Sequence, residues 1–180
     1  MQRPPENIIF ERVGLIWCVS ELFMITIFGI YNRLTEIENL PTEEKALLNS
    51  LQSGNRLIAA GYVLYSSATI LCTTFGSGAH AFTLDHSTGD FVLTHPDIKI
   101  PPRVAMNPRD HLRLVYEANP LSFVAEQAGG KGSDGKNRIL SIQPVKLHQR
   151  LPLFLGSPED IEELESYGDV QQTVNPGYDV

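Results

Sequence analysis

Apolar residues run almost unbroken from Gly14 to Tyr31, "GLIWCVSELFMITIFGIY", with Glu21 as the single charge. A run of that length approaches the ~20 apolar residues of a membrane span, and a transmembrane helix is one reading of it. The central charge and the β-branched and aromatic bias of "MITIFGIY" favour a buried strand instead. No basic stretch leads directly into a short apolar core with a small-residue cleavage site, so no secretory signal is expected.

Residues 32–52 are polar and charged, as in a surface loop with a short helix. In "SGNRLIAAGYVLY", Leu57, Ala60, Gly61 and Leu64 fall at i, i+3, i+4 and i+7 behind Ser53, an acceptable N-cap. That stripe predicts a core-facing helix, with Gly61 marking a close approach of a neighbouring backbone. "SATILCTTFG" then reads as a buried strand. "AHAFTLDHSTGDFVLTHPDI" reads as a hairpin, with His80, Phe82 and Leu84 on one arm, Phe91 and Leu93 on the other, and "HSTG" as the turn. Pro101 and Pro102 stop regular structure, and residues 103–110 are polar and turn-like.

Next comes "HLRLVYEANPLSF", residues 111–123. Read as a strand, "LRLVYE" sends Leu112, Leu114 and Tyr116 one way and Arg113, Val115 and Glu117 the other. Asn119 is an N-cap candidate and Pro120 suits a first helical position. Leu121, Val124, Ala125 and Ala128 keep helical spacing until Gly129-Gly130. This strand–turn–helix unit leaves Glu117 at the strand's carboxyl end, where ligands of α/β proteins tend to sit. "KGSDGKNR" is a polar loop, and "ILSIQP" and "RLPLFLGS" read as strands. Ser157, Pro158 and Asp160 open a helix over "PEDIEELESY", and residues 168–180 form a loose tail.

With 42% hydrophobic and 19% charged residues, the 180-residue chain has the composition of an ordinary globular protein, one domain or at most two small ones. A net charge of −7 argues against nucleic acid as the main partner, though not against a small phosphorylated ligand in a local basic pocket. Cys18 and Cys72 have no metal-site or disulfide-framework spacing, which fits a reducing compartment.

A carboxylate entering the core needs a positive partner, a set of backbone N–H groups or a metal. For Glu117 an ion pair with Arg113, on the same strand face, is the plainest of these. A metal or acid–base role is the alternative, but no second carboxylate lies nearby to complete a Mg²⁺ site. The histidines at 80, 86, 95, 111 and 148 show no HxxxH or HExxH spacing; His111, one residue before the strand, can face the same region as Glu117. "AGGKGSDG" lacks the P-loop order and reads as a helix stop and turn. "DIEELE" is the solvated face of a helix.

"LRLVYEANPLSF" resembles the signature segment of class I fructose-1,6-bisphosphatases. The flanking "TIFGIY", "LQSGNRLIAAGYVLYSSATIL", "FTLDHSTGDFVLTHPDIKIP", "EQAGGKGSDG" and "HQRLPLFLGSPEDIEELE" agree in order, so the likeness runs from Thr26 to Tyr167. "EQAGGKGSDG" and "HQRLPLFLGS" look most like the forms of photosynthetic lineages. The resemblance implies a layered α/β sugar-phosphatase fold, here incomplete and mainly its carboxyl-terminal half. It divides the chain into a divergent segment 1–25, a family-like domain 26–167 shortened near 102–104, and the tail 168–180. It implies Mg²⁺-dependent hydrolysis of the 1-phosphate of fructose 1,6-bisphosphate, with Glu117 as metal ligand supported by Tyr116 and Asn119, and with His111 and Arg113 as substrate contacts. It also implies a homotetramer, no membrane role, and a place in the cytoplasm or plastid stroma.

The departures are as informative. The family's Asp-Pro-Leu-Asp-Gly-Ser-Ser metal and phosphate motif should precede "TIFGIY", where this chain has "ERVGLIWCVSELFMI". The family's upstream glutamate pair is missing. The long segment expected between "IKIP" and "VAMNPRD" is replaced by Pro102 and Arg103, and His111 stands where the family has lysine. A single remaining carboxylate leads to the expectation that this chain has no catalytic residue set and is inactive alone. The alternative reading is a non-catalytic subunit that pairs with full-length homologues.

Overall fold

The computed structural model describes residues 8–18, 23–103, 105–106 and 112–168. Six strands form an antiparallel sheet in simple chain order: β1 (Ile8–Cys18), β2 (Phe23–Asn32), β3 (Leu57–Tyr65), β4 (Thr69–Thr74), β5 (Ala79–Asp85) and β6 (Asp90–Ile98). Helix α1 (Thr42–Ser50) lies in the connection from β2 to β3. Beyond the sheet come the two-residue strands β7 (Ala105–Met106) and β8 (Leu112–Arg113), helix α2 (Asn119–Gln127), and strands β9 (Lys131–Ser133), β10 (Arg150–Leu151) and β11 (Phe154–Gly156). Helix α3 (Pro158–Ser166) is the last element described. Short strands pair as β10–β8 and as β7–β11–β9, making a second layer beside α2.

The apolar run 14–31 folds as parts of two paired strands, where one buried strand was expected. Gly14 faces Ile27 and Cys18 faces Phe23. A single strand of that run would reach ~60 Å at ~3.3 Å per residue, too far for one domain, so the chain folds back and pairs with itself. No helix among the described residues is long and apolar enough to cross a membrane.

The helix expected after Ser53 is instead β3. Ser53 makes no side-chain cap and leads only into a short 3₁₀ turn, Gly54–Arg56. Ala and Gly are poor strand formers, so "IAAGY" carries little strand signal of its own; pairing on both sides overrides it. Ile27, Tyr62, Cys72 and Ala81 lie in register across four strands. Small residues are selected because α2 presses on this face: Ala60, Cys72, Ala79 and Ala81 pack with Val124 and Ala128. At Gly29 a Cβ would stand 2.8 Å from Leu57 and 3.1 Å from Pro120, so this glycine lets the start of α2 sit directly on β2.

The hairpin of β5 and β6 forms as expected, with Phe82 opposite Leu93 and Leu84 opposite Phe91. Asp85 Oδ1 accepts hydrogen bonds from the Ser87 N–H (2.8 Å) and hydroxyl (2.7 Å), and Gly89 turns the chain at φ 78°. Strand β6 is one edge of the sheet and is exposed along nearly its whole length, Phe91, Val92 and Leu93 included. Pro96 and the positive φ of Asp97 interrupt that edge, a common guard against indiscriminate pairing.

Two further expectations change. "ILSIQP" forms a 3₁₀ turn, Ile139–Ser141, with Ile139 and Leu140 both buried, because successive residues must reach different core clusters. The "KGSDGKNR" loop begins with β9, after which Asp134 Oδ1 accepts the N–H groups of Lys136 and Asn137. The α3 start is as expected: Ser157 Oγ accepts the Asp160 N–H at 3.3 Å. Of the polar stretch 103–110, residues 105–106 are β7, while 104 and 107–110 lie outside the described residues, as does most of the expected tail.

Candidate functional site

"LRLVYE" is not a strand throughout. Only Leu112–Arg113 extends as β8; Leu114–Ala118 makes one π-helical turn that runs straight into α2. The Asn119 N–H reaches back to the Leu114 carbonyl, and the Leu114 N–H donates to Gln149 O at 2.8 Å. The alternation of faces is therefore lost. Leu114, Val115, Glu117 and Ala118 are all buried, and Tyr116 alone of the turn looks outward. Single π turns occur often at functional sites because they re-aim a side chain without ending the helix.

Asn119 does not cap the helix. It is the first residue of α2, preceded by Ala118 in helical conformation, so the preceding turn already occupies the place of a cap. Its amide is fully buried, with Nδ2 3.5 Å from the Tyr31 hydroxyl. Pro120 does sit in the first turn, and Gly129 (φ 81°) closes the helix while the Gly130 N–H donates to Ala125 O at 2.9 Å.

Glu117 is 5% exposed and is held by Arg113 twice. Its Oε2 accepts the Arg113 backbone N–H at 2.8 Å, and its Oε1 lies 3.7 Å from the Arg113 guanidinium. The expected ion pair is thus present, formed at i,i+4 across a turn rather than at i,i+4 along a strand. Arg113 also packs its guanidinium 5.4 Å from the centre of the Tyr116 ring. Strand pairing sets Arg150 directly opposite Arg113. The Tyr116 hydroxyl shares a hydrogen bond of 2.8 Å with His148 Nδ1, the two rings edge to face at 6.0 Å.

Two arginines and a tyrosine thus act on one buried carboxylate, and a histidine holds the tyrosine. Arg113 Nε is buried and has no hydrogen-bond partner among the described residues. Burial raises the Glu117 carboxyl above its usual range, while the Arg113 N–H, the Arg113 guanidinium and Arg150 pull it down. Burial likewise raises the Tyr116 phenol. A carboxyl raised on folding favours the fold when protonated, and costs stability as pH climbs from its unfolded value through the higher folded one. In metal-free buffer Glu117→Gln is expected to melt higher than wild type at neutral pH. The difference should vanish at about pH 4, where both side chains are neutral. Calorimetric melting at the two pH values checks this.

As a Mg²⁺ position the residues do not fit. Mg²⁺ demands near-octahedral oxygen ligation, commonly from one or two carboxylates plus waters and phosphate oxygens. Glu117 already accepts a backbone N–H and faces a guanidinium. Among the described residues no group of three or more His, Cys, Asp or Glu stands close enough to hold a metal.

Of the sequence-predicted site residues, Arg113 and Glu117 are brought together, and His111 lies outside the described residues. His148 and Arg150 were given no role by the sequence. Neither has a local spacing signal; only the pairing of β10 with β8 brings them to the site.

The family model described as Fructose-1-6-bisphosphatase, N-terminal domain matches residues 20–96, and the one described as Fructose-1-6-bisphosphatase, C-terminal domain matches residues 90–169. The chain thus carries sequence of both family domains. It is 36% identical over 213 residues to the chloroplastic fructose-1,6-bisphosphatase of Brassica napus, covering 79% of this chain and 51% of the relative. It is 35% identical over 204 residues to the class 1 fructose-1,6-bisphosphatase of Chloroherpeton thalassium, covering 79% and 57%. The chain therefore spans about half the length of the curated relatives it matches. Since 79% of 180 residues is about 142, the 213-residue alignment takes in about 70 residues of the Brassica protein that have no counterpart here. Among solved structures, the T-state crystal structure of Leishmania major fructose-1,6-bisphosphatase superimposes with a TM-score of 0.79 at 25% identity, covering 90% of this chain and 70% of that one.

Proposed function

The chain belongs to the fructose-1,6-bisphosphatase family, and from that premise we propose that it binds a sugar bisphosphate at Arg113 without hydrolysing it alone. The reaction of the family as we read it is hydrolysis of the 1-phosphate of fructose 1,6-bisphosphate to fructose 6-phosphate, in gluconeogenesis or the Calvin cycle. The observation that carries the binding half is the buried, unpartnered Arg113 Nε, set opposite Arg150 on the β8–β10 ladder. A buried N–H donor without a partner is costly, and a phosphate oxygen supplies the missing acceptor with charge assistance. His111 is assigned to the same phosphate.

The hydrolytic half is where the chain departs. Mg²⁺ in this family attaches, in our reading, to Glu117 and to carboxylates upstream of Thr26 that have no equivalent in "ERVGLIWCVSELFMI". With one carboxylate, itself engaged by Arg113, we derive no hydrolytic step through the ion. We place the missing residues of the alignment at the junction near 102–104, between Ile100 and the start of β7. Homo-oligomerisation, as a tetramer, is proposed as well; the exposed Phe91, Val92 and Leu93 of edge strand β6 support an assembled state. The plant relatives support a plastid stroma location over a cytoplasmic one.

Calorimetric titration tests the binding half. Fructose 1,6-bisphosphate is expected to bind in the absence of metal, and Arg113→Ala to weaken it by about tenfold or more, the loss of a charge-assisted pair. Equal binding by wild type and variant would remove Arg113 from the site.

A further inference from the structure

The Arg113–Glu117 pair is not held by its own turn alone. Arg113 is 35% exposed on its side-chain surface, and its 3.7 Å separation from Oε1 is longer than a hydrogen bond, so the pair alone does not fix the guanidinium. What faces the guanidinium on its other side is the Tyr116 ring, 5.4 Å away. That ring is itself half-exposed, and its hydroxyl is tied to His148 Nδ1 at 2.8 Å. His148 belongs to a different segment, docked onto the π turn by the Leu114 N–H to Gln149 O bond and by the β10–β8 ladder. A contact chain therefore runs from His148 through Tyr116 and Arg113 to Glu117.

We propose that His148 is a positioning residue of the phosphate site, fixing the Tyr116 ring as the platform that orients the Arg113 guanidinium. This rests on the reading of Arg113 as the phosphate-binding group. An aromatic face attracts a guanidinium only within a restricted set of ring orientations, and an exposed tyrosine ring is free to change rotamer unless its far end is anchored. The edge-to-face contact with the imidazole, at 89° between planes, limits the ring a second time.

The test uses the whole chain and two readouts. Nitrogen-15 NMR follows the Arg113 Nε–H, which in wild type should exchange slowly with solvent. Calorimetry follows fructose 1,6-bisphosphate. His148→Ala is expected to speed Nε–H exchange and weaken binding about three- to tenfold, the worth of one lost hydrogen bond. Tyr116→Phe, which removes only the hydroxyl, should do the same, and the double variant should be no worse than either alone. His148→Asn, whose amide reaches the place of Nδ1, should restore both signals. If His148→Ala proves unfolded, Tyr116→Phe carries the test unaided. An Arg113 Nε–H signal unchanged in the His148 and Tyr116 variants overturns the inference, as does a wild-type signal exchanging as fast as that of an exposed arginine. Absence of bisphosphate binding by wild type, with the Nε–H signal still responding, contradicts the functional reading and leaves the positioning role standing.

Discussion

Gly61→Ala is expected to destabilise the fold by about 1–3 kcal/mol, the usual cost of forcing atoms into filled space. A Cβ at this position would lie 2.6 Å from the Cys72 carbonyl oxygen and 2.7 Å from the Phe28 ring. The ring can turn aside, but the carbonyl belongs to the neighbouring strand and moves only if β4 moves. The loss comes from this close approach of a neighbouring backbone; in an exposed helix interior, by contrast, the same substitution gains ~1 kcal/mol, because alanine is the better helix former. Urea denaturation of the purified variant decides: a lower midpoint with unchanged m-value agrees with the close approach, and a higher midpoint contradicts it.

Leu114→Ala is expected to cost about 2–5 kcal/mol, the range for deleting a buried leucine side chain where the surroundings relax only partly. Leu114 is fully buried beneath the π turn, packed with Ala118, Ile139, Leu151 and Leu153. Those neighbours come from three separate segments, so no single one can shift to fill the space. At about 2–4 °C per kcal/mol for a chain of this size, the melting temperature should fall by about 4–20 °C. The site should suffer as well, because the π turn that this side chain anchors in the core also carries the backbone N–H that docks the His148-bearing segment. A variant with wild-type melting would mean that the π turn is not part of the core.

Much of the sheet was legible because its signals were local. The β5–β6 hairpin carries alternation on both arms and an Asp-His-Ser-Thr-Gly turn whose side-chain bonds lie within a few residues of one another. β3 was hidden because the property that makes it central, small residues under a packed helix, also mimics a helical stripe. The Arg113–Glu117 pair was readable in any local geometry, since i,i+4 residues meet across a helical turn as readily as they share a strand face. The π turn was not readable: one inserted residue per turn leaves no periodic trace in five positions. His148 and Arg150 reach the site only through a two-residue ladder between segments more than thirty positions apart. Nothing local announces such a pairing. The family resemblance covered "HQRLPLFLGS" as sequence, and only the fold set it against Arg113.

The proposed site keeps a phosphate-binding arginine and lacks the carboxylates for hydrolysis. Release of inorganic phosphate from fructose 1,6-bisphosphate by the purified 180-residue chain in excess Mg²⁺ tests it most directly. The account predicts release no faster than in buffer alone, with bisphosphate binding intact. Phosphate release that follows the chain's concentration and disappears on adding EDTA would contradict it.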